Sequence, residues 1–373
     1  MSELAAVEAL RGQVLWAVFA LSAVFGVISQ RTHFCAMGAV ADIVHLGDWT
    51  RMRMWVLAIG VALLGFNALV AFGWVRAADS VYARPQLLAV SALVGGALFG
   101  AGMVLASGCG SKTLLRLAGG NLKSLVVFLV LGLSAFATLR GLTAVWRVNT
   151  VDALAWTLPA GHDLPSLAAH WTGLSPRSAA AGLGLVLGAG CIAWVLARAE
   201  GRRGEVWLGG VGVGLVVVAV WAVSGILGHV PEHPQTLEPA FVATASRHME
   251  SLSFVAPSAH TLAWLLYYSD ENQRLSLGVA SVAGVVAGGA VQALASRSFR
   301  WEGFRNARDT GQHLVGAALM GVGGVTALGC TIGQGLSGIS TLSVGSALAL
   351  AGILAGAVAT LRWQAALVER GVL

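Results

Sequence analysis

Apolar runs long enough to cross a bilayer dominate this chain of 373 residues. A hydrocarbon core of about 30 Å needs about 20 helical residues. Nine runs come close to this length, at Val14 to Ser29, Met54 to Val75, Gln86 to Ser107, Leu122 to Leu139, Ser178 to Ala197, Val206 to Gly228, Leu275 to Ala295, His313 to Leu328 and Leu342 to Leu361. Only 11% of the residues are charged, against roughly 25% in soluble domains. The sequence therefore predicts an all-α integral membrane protein with about nine transmembrane helices.

The charges indicate how the chain is oriented. When the connections between the nine runs are assigned to alternating sides, eight of the 23 Lys and Arg residues lie on one side and fifteen on the other. The positive-inside rule places the richer side, and the C-terminus, in the cytoplasm, with the N-terminus outside. This rule accounts for the net charge of +6. We expect no nucleic-acid partner, because no module combines basic and aromatic residues. The first run lacks a convincing cleavage site, so we interpret it as a retained helix.

Two segments that start 221 residues apart are near copies of each other. LVGGALFGAGMVLASGCG begins at Leu93 and LVGAALMGVGGVTALGCT begins at Leu314, and eleven of the eighteen positions are identical. The shared positions include Gly95/Gly316, Gly102/Gly323, Gly108/Gly329 and Cys109/Cys330. The copies fall on the third and eighth runs, so an odd number of crossings separates them. This count predicts an inverted repeat, with halves at 1–140 and 178–373 in one membrane transport domain of residues 1–373. A merged or lost span would make the repeat parallel instead.

Each copy looks like a helix that breaks at its cysteine. Short apolar stretches follow both breaks, and Cys35 likewise precedes a stretch, Ala36 to Val44, that is too short to cross. Broken helices leave backbone polar groups without partners, which a membrane protein tolerates only inside protein or along a polar cavity. We therefore expect short re-entrant or broken helices that line a pathway. Two longer connections, 140–177 and 229–274, are expected on the outer side.

Cysteines at three breaks favour a soft anion as the ligand. None of them belongs to a CxxC pair, and their spacing does not fit a zinc site, so we expect no metal ion and no cofactor. Separate neutral thiols can donate weak hydrogen bonds that hold an anion and still release it, as conduction requires. Glycine N–H groups and helix N-termini at the breaks would attract the negative charge.

The strings QRTHFC, SGCG and GCTIGQG resemble the YeeE/YedE family of sulfur transporters, and the resemblance covers nearly the whole chain. It implies an hourglass-shaped inverted-repeat fold in the bacterial inner membrane, with a periplasmic N-terminus and a cytoplasmic C-terminus. It also implies that Cys35, Cys109 and Cys330 pass thiosulfate inward. Some members work beside a TusA-like sulfur carrier protein, so a separate carrier is a candidate partner, besides thiosulfate or a related sulfur anion and membrane lipid.

Other residues of the three strings have two interpretations each. Three of these residues could contact the anion, namely His33, Arg31 and Lys112. In the alternative interpretation, His33 stabilises the turn, Arg31 anchors the chain at the membrane interface and Lys112 stabilises the short helix. Thr331, Ser111 and Gln334 either donate to the anion or hold the break together. The substrate-pathway set further includes Gly108, Gly110 and Gly329. Cys191 lies inside a continuous run, where packing is the favoured role, and the outer histidines are too irregularly spaced for a metal site.

The preferred hypothesis is a transporter, not an enzyme, that imports a small sulfur-containing anion, with thiosulfate as the expected cargo. The two alternatives are a membrane thiol-disulfide oxidoreductase, which the absence of CxxC disfavours, and a selenium-compound transporter of the same fold. A further alternative is a scaffold that anchors a sulfur carrier through its basic inner loops. Thiosulfate and related sulfur or selenium species all present soft or anionic atoms to the same thiols.

Overall fold

The computed structural model describes residues 2–83, 85–158, 161–270, 273–304 and 306–370. Arg84 and Arg305, which enter the charge count above, lie outside the described residues. The long helices are α1 (Ser2–Arg31), α3 (Thr50–Ala71), α4 (Ala89–Leu105), α6 (Leu122–Arg140), α9 (Pro176–Leu196), α10 (Gly204–Ala222), α12 (Leu277–Ala295), α13 (Ala307–Thr326) and α14 (Val344–Glu369). The short helices are α2 (Ala36–Leu46), α5 (Gly110–Ala118), α7 (Leu142–Asn149), α8 (Leu164–Thr172) and α11 (Ala256–Leu266).

Within the described ranges, eight helical segments are long and apolar enough to cross a membrane. The prediction of an all-α membrane protein is confirmed, with one fewer qualifying span than the nine predicted. The expected span from His313 to Leu328 falls in α13, which is not among the eight. Its first turns carry Arg308, Asp309 and His313, and these residues lower the hydropathy of the helix. A π-helix, Gly333–Gly338, lies inside a further short helix at 331–340.

Helices α4 and α13 cross at glycines of the repeated segments. A Cβ added at Gly102 would lie 2.6 Å from the carbonyl oxygen of Gly316, and one added at Gly323 would lie 2.6 Å from that of Gly95. The backbones therefore touch, as small residues allow in membrane helix pairs. Because the later residue of α4 meets the earlier residue of α13, the two helices run antiparallel.

Helices that are distant in sequence pack together throughout the molecule. Helix α1 packs on α10 and α12, and α3 packs on α10 and α9. Helix α4 packs on α13 and α14, whereas α6 packs on α13 and α11. The segments at 1–140 and 178–373 therefore interdigitate.

Both long connections are folded onto the membrane helices. Two small antiparallel pairs join β1 (Gln86–Leu87) to β2 (Trp156–Thr157) and β3 (His229–Val230) to β4 (Ala240–Phe241). The backbone N–H of Val344 donates to the carbonyl of His162 at 3.0 Å, which fastens the first connection to the start of α14. In the second connection, the Leu252 carbonyl accepts from Ser337 Oγ at 2.8 Å. These bonds hold parts of both connections against the 331–340 helix and the start of α14.

Candidate functional site

The same backbone turn precedes each of the three cysteines. Two residues after the ends of helices α1, α4 and α13, the backbone is left-handed, at His33 (φ 52°), Ser107 (φ 56°) and Leu328 (φ 58°). The amide of the following residue donates to the carbonyl five residues back, at 3.1, 2.8 and 2.7 Å respectively. This pattern is the Schellman end of a helix, in which two otherwise unpaired carbonyl groups are satisfied. The cysteine comes next, so the chain turns in the same way before each thiol.

Each cysteine then begins a short helix. Cys35 is the N-cap of α2, Cys109 is the N-cap of α5, and Cys330 precedes the 331–340 helix. The sulfur atoms of Cys35 and Cys330 accept hydrogen bonds from Gly38 N–H and Gly333 N–H, both at 3.4 Å. Three helix N-termini, each with a partial positive charge, therefore end at a thiol.

The structure brings these cysteines together. All three are buried, with exposed fractions of 7% for Cys35, 1% for Cys109 and 0% for Cys330. The thiols of Cys35 and Cys109 lie close enough to influence each other. Cys109 Sγ is also 3.3 Å from Ser111 Oγ and lies beside the hydroxyl of Thr331, the residue after Cys330. Cys109 therefore lies between the other two breaks.

Two buried polar atoms at the third break have no hydrogen-bond partner of good geometry among the described residues. They are Thr331 Oγ1 and Gln334 Oε1. The other side of the Gln334 amide, Nε2, donates to the Ala327 carbonyl at 2.5 Å, which ties the helix after the break to the end of α13. An unpaired buried polar group costs about 1–3 kcal/mol. Thr331 therefore places a free hydroxyl beside the cysteine cluster.

A recess lies on either side of the cluster. The large cavity, of about 860 Å³, is lined by Arg31, His33 and Ser107, two residues before Cys109, and by Arg116 and Arg300 among others. The small pocket, of about 30 Å³, is lined by Leu328, two residues before Cys330, and by Gln334, Tyr82 and His162 among others. The two recesses therefore adjoin opposite members of the repeated pair of breaks.

The large cavity is basic. Arg31, Arg116, Lys123 and Arg300 line it against Glu302 and Asp309. Lys123 pairs with Asp309 at 2.6 Å. Within the described part of the chain, the guanidinium groups of Arg31, Arg116 and Arg300 form no ion pair. The cavity can therefore attract an anion.

The remaining predicted site residues lie around the breaks. Lys112 is half-buried on α5. A Cβ added at Gly108 would lie 3.2 Å from Lys112 Cγ, and one at Gly329 would lie 3.1 Å from Gln334 Cγ, so both positions are tight. Gly110, the first residue of α5, faces Phe254 at 3.5 Å by the same measure.

Several residues at the recesses are not in the predicted set. Cys191 lies apart on α9, half-buried. Over the described ranges, no group of three or more His, Cys, Asp and Glu side chains could hold a metal ion. Tyr82, Ser107 and Arg116 line the recesses and are not in the predicted set, and neither is His162, which is one of the outer histidines. Ser107 could have been found as the residue before the repeated Gly-Cys, but no sequence motif marks Tyr82.

Comparison with known proteins gives the family. A family model described as sulphur transport matches residues 31–359. A thiosulfate transporter TsuA of Spirochaeta thermophila is 25% identical over 349 residues, covering 90% of this chain and 94% of the relative. One of the same name from Escherichia coli is 25% identical over 336 residues, covering 84% of each. Since the family model spans most of the sequence, this multi-pass membrane protein belongs to the sulphur transport family, the YeeE/YedE family that its cysteine motifs indicate.

Proposed function

We propose that the protein imports thiosulfate, or a closely related sulfur anion, through the three cysteine breaks. The observation that carries the proposal is the cluster itself, in which Cys109 lies beside Cys35 and Thr331 between two recesses. The names of the two relatives support thiosulfate as the cargo.

The chemistry of the cluster suits a doubly charged anion with one soft sulfur. A neutral thiol is a weak donor, so each cysteine holds the terminal sulfur briefly. The three helix N-termini stabilise negative charge without a buried lysine. Transport needs each station to bind the anion and then release it, and this combination of weak donors and fixed dipoles satisfies both requirements.

We further propose that the two halves form an inverted repeat in an hourglass. The support is the reciprocal contact of corresponding glycines on antiparallel α4 and α13, and the matching left-handed turns at Ser107 and Leu328. The small pocket then faces the periplasm and the large basic cavity faces the cytoplasm, in a bacterial inner membrane with the N-terminus outside. A separate TusA-like carrier would receive the anion at the large cavity.

The test is thiosulfate uptake into proteoliposomes by single cysteine variants. We expect Cys35→Ala, Cys109→Ala and Cys330→Ala each to lower uptake at least about tenfold, the effect of losing one hydrogen bond to a charged group. Cys191→Ala is the matched control and is expected to transport like the wild type, because Cys191 lies on α9 away from the cluster. Undiminished uptake by Cys109→Ala would overturn the thiol pathway.

A competition panel tests the cargo. Sulfate resembles thiosulfate in shape but has no terminal soft sulfur, so a tenfold excess of sulfate is expected to leave thiosulfate uptake unchanged. Selenosulfate keeps a soft terminal atom and is expected to compete. Competition by sulfate equal to that by selenosulfate would contradict recognition through the thiols.

A further inference from the structure

A side chain from the first outer connection lines the small pocket. His162 is only 6% exposed, and its backbone carbonyl accepts from Val344 N–H at 3.0 Å. Its ring Nδ1 lies 3.2 Å from Ser343 Oγ, the N-cap of α14. The connection thus holds this imidazole at the pocket on the side where α14 begins.

The contacts of Ser343 are compatible with a proton on Nε2 of His162. Ser343 Oγ accepts from Ser346 N–H at 3.3 Å and can donate its own proton to His162 Nδ1. An accepting Nδ1 leaves the ring proton on Nε2. Among the described residues, Nε2 has no hydrogen-bond partner, so it can donate to a molecule in the pocket. Burial lowers the pKa of His162, which favours this neutral form at neutral pH.

The hydroxyl of Tyr82 forms the inner wall of the same pocket. Tyr82 is 8% exposed, and its Oη lies 3.4 Å from the position that a Cβ on Gly333 would occupy. The N–H of Gly333 donates to Cys330 Sγ. No residue in the described part of the chain hydrogen-bonds Tyr82 Oη. The Tyr82 hydroxyl can therefore donate a hydrogen bond at a position between the small pocket and the Cys330 thiol.

We propose that His162 Nε2–H and Tyr82 Oη–H form an outer subsite that binds the oxygen end of the cargo before its sulfur reaches Cys330. The subsite rests on the proposed function, because it needs an anion that arrives through the small pocket. Hydroxyl and imidazole N–H groups match the hard sulfonate oxygens of thiosulfate, whereas the thiol matches its terminal sulfur. The subsite therefore sets the order in which the two ends of the anion are engaged.

The size of the pocket makes these donors necessary. Its volume of about 30 Å³ leaves no space for an anion together with its hydration shell. An anion that enters must leave most of its hydration shell behind, and groups of the protein must replace those hydrogen bonds. Selection at this site therefore acts on anions that carry oxygen acceptors and are small enough to enter.

The test separates binding from the later steps of transport. Tyr82→Phe is isosteric. The single variants Tyr82→Phe and His162→Leu are each expected to raise KM for thiosulfate uptake about tenfold in proteoliposomes, with Vmax within twofold of wild type. His162→Gln keeps an N–H donor and is expected to retain most of the affinity. His170→Leu is the matched control from the same connection, since His170 is exposed on α8 and does not line the pocket.

Each result decides the proposal. A wild-type KM in Tyr82→Phe and His162→Leu, or a fall in Vmax with unchanged KM, overturns the subsite. Melting temperatures in detergent exclude unfolding as the cause, and Tyr82→Phe alone suffices if His162→Leu does not fold. Normal uptake by Cys109→Ala would instead refute the cysteine pathway, so the two failures are distinguishable.

Discussion

Cysteine is an unusual residue for the start of a helix. Ser, Thr, Asp and Asn are the preferred N-caps because their oxygen accepts strongly from the first turn. Sulfur is a weaker acceptor, and the bonds from Gly38 and Gly333 are long, at 3.4 Å. Three short helices of this protein thus begin with a cap that contributes less stability than serine would. Cysteine at these positions therefore indicates a role for the thiol other than stabilising the helix.

Thr331 gives a prediction at the same scale. Its buried hydroxyl has no partner of good geometry in the part of the chain that the structure describes, and it lies beside the Cys109 thiol. Thr331→Val keeps the shape and removes an unsatisfied group, so we expect an unchanged or higher melting temperature, but uptake lower by about three- to tenfold. The control is Thr360→Val on α14, whose hydroxyl bonds the Gly356 carbonyl at 2.8 Å. Normal uptake by Thr331→Val would show that the hydroxyl does not meet the cargo.

The sequence locates the three cysteines better than their surroundings. Gly-Cys at corresponding repeat positions marks two breaks, and the short stretch after Cys35 marks the third. Tyr82 and His162 escape this reasoning because long-range packing carries them to the small pocket from two different connections. The proximity of Cys35 and Cys109 likewise joins residues far apart in the chain.

At the scale of the helices, the crossing of α4 and α13 leaves no room for side chains. Gly95, Gly102, Gly316 and Gly323 each face backbone atoms of the other helix. Close approach of this kind gains van der Waals contact that larger residues would prevent. The repeated glycines therefore have a packing role at the centre of the molecule.

Enlarging one of these glycines is expected to destabilise the protein. In Gly323→Ala the new Cβ would lie 2.5 Å from Phe99 N and 2.6 Å from the Gly95 carbonyl oxygen, so the backbones must separate. Overpacking of this kind costs about 1–3 kcal/mol. Thermal unfolding in detergent measures the effect. Gly190→Ala on α9 has nothing within 4 Å and is the control, expected to be neutral or stabilising; equal stability of both variants would contradict the close crossing.

Helix α13 shows why a count of spans from composition is fragile. Its first turns carry charged residues and its later turns carry many glycines. These turns are stabilised by partners elsewhere in the fold, since Lys123 pairs with Asp309 at 2.6 Å. A hydropathy criterion has no access to such tertiary contacts, and so it passes over a helix that packs against both α4 and α6.

For the whole molecule, the two long connections are parts of the structure around the breaks. The first brings His162 to the small pocket, and the second carries the Leu252 carbonyl to Ser337. The all-α membrane architecture follows from composition, but the folding of these connections onto the breaks does not. Their apolar residues have no periodicity that would specify such a docking.

The proposed orientation can be tested with a membrane-impermeant maleimide. In a Cys191→Ala background, Glu232→Cys in the second connection is expected to be labelled in intact spheroplasts. Glu369→Cys at the end of α14 is expected to react only after permeabilisation; both native side chains are exposed. The physical reason is the excess of Lys and Arg on the side of the C-terminus. The opposite labelling pattern would contradict the proposed orientation, and with it the proposed direction of transport.

The packing of α4 also has a consequence for biosynthesis. Helix α4 is made early, yet its partners α13 and α14 begin at Ala307 and Val344, more than two hundred residues later. A ribosome that has completed α4 must still synthesise most of the chain before the glycines of α4 can pack against α13 and α14. The early helices therefore lie in the bilayer without their packing partners until the later helices are synthesised. A chain that stops before Ala307 has no route to a finished pathway, so release of the C-terminal helices is the step that completes the fold.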